Sequence, residues 1–230
     1  MDTSTMADMA HTADEDVQLA VLRELTWDSR IDAAKVGVTV DQGTVTLIGL
    51  VDTYAERVAA DEAAHRVFGV LDVANELQVE LPGDNIRTDT DLAQAVRHAL
   101  EWDVQVPDQR ITSTVSNGWV TLEGEVDDGP ERYNAERAIR NLVGVRGVTN
   151  QILVTGPKVR PDDVQREIEA ALERRAATTA KRINVVTSGG RVILSGEVQT
   201  WADKKAILDA ARTTPGVQSV EERIQVDPGS

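Results

Sequence analysis

The sequence predicts an α+β protein made of three tandem αββαβ two-layer units, each a three-stranded mixed sheet with two helices on one face. Three observations predict it. Residues 17–79 overlay residues 92–154 at an offset of 75 and residues 164–226 at an offset of 147, without a gap. Glycines recur in register as Gly43, Gly118 and Gly190, as Gly49, Gly124 and Gly196, and as Gly69, Gly144 and Gly216. The apolar period switches within each copy from the helical spacing to strand alternation and back.

Each copy opens with an amphipathic helix. Val17, Val21 and Leu25 stand four residues apart, with Ala20 beside them; Leu92, Val96 and Leu100, then Val164, Ile168 and Leu172, repeat the stripe. Asp14, Asp89 or Thr90, and Asp162 are the expected N-caps. Two strands follow, with Val36, Val38 and Val40 alternating with polar residues, then Val45 and Leu47. Their connections read Asp41-Gln42-Gly43, Ser116-Asn117-Gly118 and Ser188-Gly189-Gly190, which are tight hairpin turns. The second helix starts at a capping box or its close variant: Thr53 with Glu56, Asp128 with Glu131, Thr200 with Asp203. Its apolar stripe is thin (Ala60, Ala63, Ala64 and Val67), so it should sit close to the sheet, and Gly69, Gly144 and Gly216 are placed to close it. A last strand carries Val73, Leu77 and Val79. The strand–helix–strand crossover makes the final pair parallel and the hairpin makes the first pair antiparallel.

These elements divide the chain into a disordered tail at 1–13 and units at 14–81, 88–155 and 161–227, joined by Pro-Gly-containing linkers. Units of roughly 65 residues bury only about 60% of their unfolded surface, so contacts between them should matter. Cysteine is absent, which excludes disulfides, thiolate metal sites and cysteine nucleophiles. Residues 1–13 have neither the basic nor the apolar segment of a secretory signal, and no apolar run reaches membrane-span length; a cytoplasmic protein, peripheral to the membrane, is the expectation. Net charge is −15 and uneven: residues 1–156 hold 12 basic against 28 acidic side chains, residues 157–230 hold 12 against 11. Such an acidic chain repels nucleic acid.

The strands and glycines resemble those of the BON domain. The first copy shows it in Gly43-Thr44-Val45-Thr46-Leu47-Ile48-Gly49-Leu50-Val51, then Gly69-Val70 and Asn75-Glu76-Leu77. The second shows it in Gly118-Trp119-Val120-Thr121-Leu122-Glu123-Gly124-Glu125-Val126, then Gly144-Val145 and Asn150-Gln151-Ile152. The third shows it in Gly190-Arg191-Val192-Ile193-Leu194-Ser195-Gly196-Glu197-Val198, then Gly216-Val217, departing at Glu222. The resemblance implies a non-enzymatic binding module without a cofactor, linked to osmotic stress, envelope maintenance, phospholipid contact and, in some members, potassium sensing. The shared glycines serve the backbone, so no ligand residue carries over from them.

Candidate sites are therefore sought where the copies differ. Trp27 and Trp102 end the first helix of their copies; they are either lids over the helix–sheet seam or anchors for lipid or protein. Arg174, Arg175, Lys181 and Arg182 form an acid-free basic stretch, joined by Lys204 and Lys205, and suit an anionic phospholipid surface. On the outward sheet face, Ile48 and Leu50 make an apolar strip and Trp119 projects from the second copy; contact with a neighbouring unit or a second chain is the expected use. His11, His65 and His98 are expected as solvated surface histidines, and the acidic clusters as helix caps. Functionally the sequence supports a stress-associated scaffold that docks on phospholipid membrane or protein clients. The alternative is a sensor of a monovalent cation such as potassium.

Overall fold

A computed structural model of the protein describes residues 3–83, 87–156, 166, 170 and 183–227. The fold is α+β, with three mixed sheets that follow the three sequence repeats. By internal contacts the chain forms two compact units. One comprises residues 1–81 with 199–202 and 226–230; the other comprises residues 82–198 and 203–225.

In the first unit, helix α1 (Thr3–Trp27) precedes strands β1 (Val36–Asp41) and β2 (Thr44–Val51), helix α2 (Tyr54–His65) and strand β3 (Asp72–Val79). The sheet order is β1-β2-β3, antiparallel then parallel. Val21 and Leu25 of α1, Val38, Val45 and Leu47 of the hairpin, and Ala60, Ala63 and Ala64 of α2 are buried together. Each fully buried Leu contributes roughly 1.5–3 kcal/mol, and the alanines let α2 approach the sheet closely.

The second unit holds α3 (Asp89–Trp102), β4 (Ile111–Ser116), β5 (Trp119–Val126), α4 (Gly129–Ile139), β6 (Gly147–Asn150) and β7 (Leu153–Val154). The third repeat contributes β8 (Ile183–Ser188), β9 (Arg191–Val198), α5 (Trp201–Arg212) and β10 (Ser219–Val226). Their core positions match those of the first repeat: Leu92, Val96, Leu122 and Ile139 are buried, as are Val192, Leu194 and Ile207. The helix expected to open the third repeat falls outside the described residues, apart from Arg166 and Ala170, which are helical.

The hairpin turns adopt the expected form. Gln42 and Gly43 have φ of 49° and 74°, Asn117 and Gly118 have 52° and 80°, and Gly189 and Gly190 have 58° and 86°. Two successive positive φ values mark the type I′ turn, whose twist matches the strands.

Four expectations are corrected. The tail expected at 1–13 is helical from Thr3. That stretch lacks Gly and Pro, and adding residues to an existing helix costs little once it is nucleated. Asp14 and Asp89 do not cap their own helices. The Asp14 carboxylate accepts hydrogen bonds from the Gln42 and Gly43 amides, both at 2.9 Å. Asp89 accepts from Asn117 and Gly118 at 2.7 and 3.0 Å. Each carboxylate thus fastens the helix to the hairpin, satisfying the two amides the turn leaves free. The cap of α3 is Thr88, whose hydroxyl accepts from the Asp91 amide at 3.1 Å. Gly69 does not close α2 directly, because the helix ends at His65 and Gly69, four residues on, turns the chain with φ of 91°.

The second-helix caps form largely as expected. Asp128 and Glu131 make a complete capping box. Thr53 caps α2, while the buried Glu56 carboxylate reaches outside the box to the amides of Asp32 and Asp52, at 2.8 and 3.0 Å.

The glycine inside the second strand has the tightest surroundings. Gly49 pairs with Val36 across the hairpin and has φ of 139°. A Cβ there would lie 2.1 Å from the Lys35 carbonyl oxygen, and one at Gly124 would lie 2.1 Å from that of Arg110. Gly49→Ala should therefore cost about 3 kcal/mol or more. Gly83→Ala, whose Cβ meets nothing within 4 Å, should stay within about 0.5 kcal/mol. Urea unfolding of the two variants beside the parent protein checks this; equal midpoints would show that the strand tolerates a side chain at Gly49.

Candidate functional site

Trp27 and Trp102 are the last residues of α1 and α3, at equivalent places. Each follows a buried leucine, Leu25 or Leu100, by two residues. At about 100° per residue that step turns the side chain roughly 200° away from the core. Both indoles are accordingly 85% exposed, so neither is a lid over a seam. Val104, two residues beyond Trp102, is fully open to solvent.

Beside Trp27 an ion-pair network ties the end of α1 to α2. The Asp28 carboxylate accepts from Arg30 Nε and Nη2 at 3.0 and 2.8 Å and from Arg66 Nη2 at 2.9 Å. Arg66 Nε also donates to Glu24 at 2.7 Å, and Arg30 Nη1 donates to Glu62 at 3.2 Å. Hydrogen bonds from Arg30, then from Arg66, hold the Asp28 carboxyl far below the usual carboxylate range, although burial pushes it the other way. The second repeat reverses the charge: Arg137 takes the place of Glu62 and lies 3.8 Å from Asp103.

The sheet's outward face carries the expected apolar side chains. Ile48 and Leu50 are 44% and 49% exposed, and Trp119 is 50% exposed. In the first unit this strip lies on the open face of the sheet, whereas Trp27 ends a helix on the covered face. The two are therefore separate features.

Of the basic residues singled out, Arg174, Arg175, Lys181 and Arg182 lie outside the described residues. Lys205 is exposed on α5. Lys204 is not a free surface cation: its side chain is 11% exposed and its ammonium lies 3.1 Å from Glu222. This pair replaces an arrangement found in the other repeats. There Asn75 donates to the Arg57 carbonyl at 3.1 Å and accepts from the Leu77 amide at 3.3 Å, while Arg57 donates to the Asn75 carbonyl at 3.1 Å. Asn150 and Arg132 repeat the exchange, with Asn150 accepting from Ile152 at 3.2 Å. The departure at Glu222 is thus matched by Lys204 replacing the arginine.

His98 is exposed, as expected, but His65 is not a solvated histidine. Its ring packs against Trp201 at a tilt of 52°, with centroids 4.2 Å apart, and its Nδ1 lies 2.9 Å from the Asp61 carbonyl oxygen. Trp201 in turn donates its indole N–H to the Leu71 carbonyl at 2.7 Å and packs on the first unit's core. The sequence contained one signal for this: the equivalent positions hold Tyr54 and Gly129, three residues of very different size. Among the described residues no group of three or more His, Cys, Asp or Glu side chains is placed to hold a metal ion, and no helix is long and apolar enough to cross a membrane.

Comparison with known proteins follows the repeats. The BON domain family matches residues 13–80, 88–156 and 162–228. The chain is 28% identical over 143 residues to osmotically-inducible protein Y of Escherichia coli (strain K12), covering 60% of this chain and 71% of that protein. It is 29% identical over 116 residues to an uncharacterized protein encoded in the gshII 5′ region of Anaplasma centrale, covering 48% of this chain and 77% of that protein. Among solved structures, CdsD, a structural protein of the type III secretion system of Chlamydia trachomatis, overlays 94% of both chains at 14% identity with a TM-score of 0.26, too weak a likeness to build on.

The Asp28 network sets a pH dependence. A carboxyl whose value is lowered by folding stabilises the protein above the unfolded aspartate range, near pH 4, and that contribution disappears as pH falls below it. Asp28→Asn should lower the melting temperature at pH 7 and shrink the difference between variant and parent by pH 2–3. Melting curves across this range check it; a constant difference at every pH would contradict the assigned ion pairing.

Proposed function

The chain belongs to the BON domain family, and from that premise we propose that it is a stress-associated, non-catalytic binding protein that docks on phospholipid membrane through Trp27 and Trp102. One observation carries the reading: two indoles at the same helix-terminal position, each 85% exposed. Tryptophan suits the membrane–water boundary, because its ring is apolar and its N–H can stay hydrated. Burying one such ring contributes roughly 2 kcal/mol, so two together offset much of the cost of holding the protein at a surface. The name of the Escherichia coli relative supports the association with osmotic stress.

Charge sets the second term. Residues 1–156, at −16, are repelled by anionic lipid, so electrostatic attraction has to come from the basic run Arg174, Arg175, Lys181 and Arg182. The exposed Ile48 and Leu50 support a second reading, in which the open face of the first sheet takes a protein client or a second copy of the chain.

Co-sedimentation with vesicles of phosphatidylcholine and phosphatidylglycerol tests the lipid reading. Trp27→Ala with Trp102→Ala should weaken binding about tenfold or more, and Arg174→Glu with Lys181→Glu should remove its salt sensitivity. A tryptophan double variant that sediments like the parent, or a parent that stays in the supernatant, would refute it.

A further inference from the structure

The open face of the second repeat's sheet differs from the other two in a way that its fold role does not require. Three rows of side chains cross it. Ser116 pairs with Trp119, which pairs with Gly147; Thr114 pairs with Thr121, which pairs with Thr149; Thr112 pairs with Glu123. Ser116, Thr114, Thr149, Thr112 and Glu123 are exposed. The indole lies over Gly147: a Cβ on that glycine would sit 2.3, 2.5 and 2.7 Å from Trp119 Cζ3, Cε3 and Cη2. One side of the ring therefore rests on the strand, and the residue remains half exposed to solvent. The next row is a line of three hydroxyls, spaced about 4.8 Å across the strands and set about 7 Å along them from the ring.

We infer that this face is a binding platform for an uncharged sugar chain. The apolar face of a pyranose ring stacks on an indole, and its hydroxyls need donors and acceptors at the rim, which threonine and serine hydroxyls supply in both senses. A few placed polar groups around an aromatic surface are what orient a small ligand. Charge selects against other partners. Glu123 and Glu125 are exposed on the same face, and residues 1–156 carry −16, so phosphates, nucleic acid and acidic glycans are repelled. The sister repeats lack the combination. The first has Thr44 over Asp72, with Ala74 ending the threonine row. The third has Arg191 in place of the tryptophan, and Val186 and Ile193 in place of two threonines. The competing explanation is purely structural, with the indole covering an otherwise bare glycine in the strand.

Native electrophoresis of the full chain through gels cast with hydroxyethylcellulose, galactomannan or dextran separates the two. The platform requires that at least one polymer retards the protein relative to a polymer-free gel. Trp119→Ala should weaken that retardation about tenfold. Thr114→Val with Thr121→Val and Thr149→Val should weaken it with little change in melting temperature, because valine suits strand positions. Unretarded migration in all three gels would overturn the inference. So would retardation left intact in both variants, or a Trp119→Ala effect confined to stability.

Discussion

Everything in these sheets depends on one close contact, the backbone carbonyl that precedes the first strand pressing on a glycine in the second. The Lys35 oxygen stands where a Gly49 side chain would begin, and the Arg110 oxygen does the same at Gly124. The glycine takes φ of 139°, a region closed to other residues, and Gly196 repeats it at 142°. Because side chains alternate along a strand, a slip of one residue here would send Val45 and Leu47 to solvent and Ile48 to the core. The contact fixes the register of β2, and β2 is the central strand to which both its neighbours are paired. Which residues are core and which are outward surface follows from it.

With the backbone held this way, the repeats vary by exchanging whole interactions. Asn75 with Arg57, and Asn150 with Arg132, become Glu222 with Lys204; an amide that bridged two backbones is replaced by an ion pair between the same helix and strand. Glu62 with Arg30 becomes Arg137 with Gln105, and Arg137 also lies 3.8 Å from Asp103, the counterpart of Asp28. Lys35 pairs with Asp52 at 2.6 Å, and Arg110 with Asp127 at 2.9 Å, at matched positions. Substituting both partners avoids stranding a charge, which costs more than the pair itself contributes. The surfaces are under no such constraint. Thr44, Trp119 and Arg191 share one position and could hardly differ more in what they would bind.

The fold was legible because it is written as periodicity and punctuation, three times. Alternation located the strands, the paired glycines located the turns, and the Asp128–Glu131 spacing located a complete capping box. Long-range partners were not legible. Asp14 sits beside an apolar stripe like any cap, and only the fold brings it to the amides of Gln42 and Gly43, 28 and 29 residues away. His65 looked solvated because nothing in its own helix shows that Trp201, 136 positions later, lies against its ring. Exposure was legible only by geometry: Trp27 follows Leu25 by two residues, a step that turns it outward, although its apolar character alone argued for a lid. Neither Lys204 nor the surface around it could be judged before Glu222 was placed opposite.

The central claim is that residues repeated among the copies build the cores, while Trp27, Trp102 and Trp119 stand outside them and Trp201 packs against the first of them. Collisional quenching of tryptophan fluorescence by acrylamide tests it most directly, using four variants that each keep one of Trp27, Trp102, Trp119 and Trp201. The account predicts quenching of Trp27 and Trp102 close to that of free indole, intermediate quenching of Trp119, and the strongest shielding at Trp201. Shielded Trp27 and Trp102, with a blue-shifted emission, would contradict it.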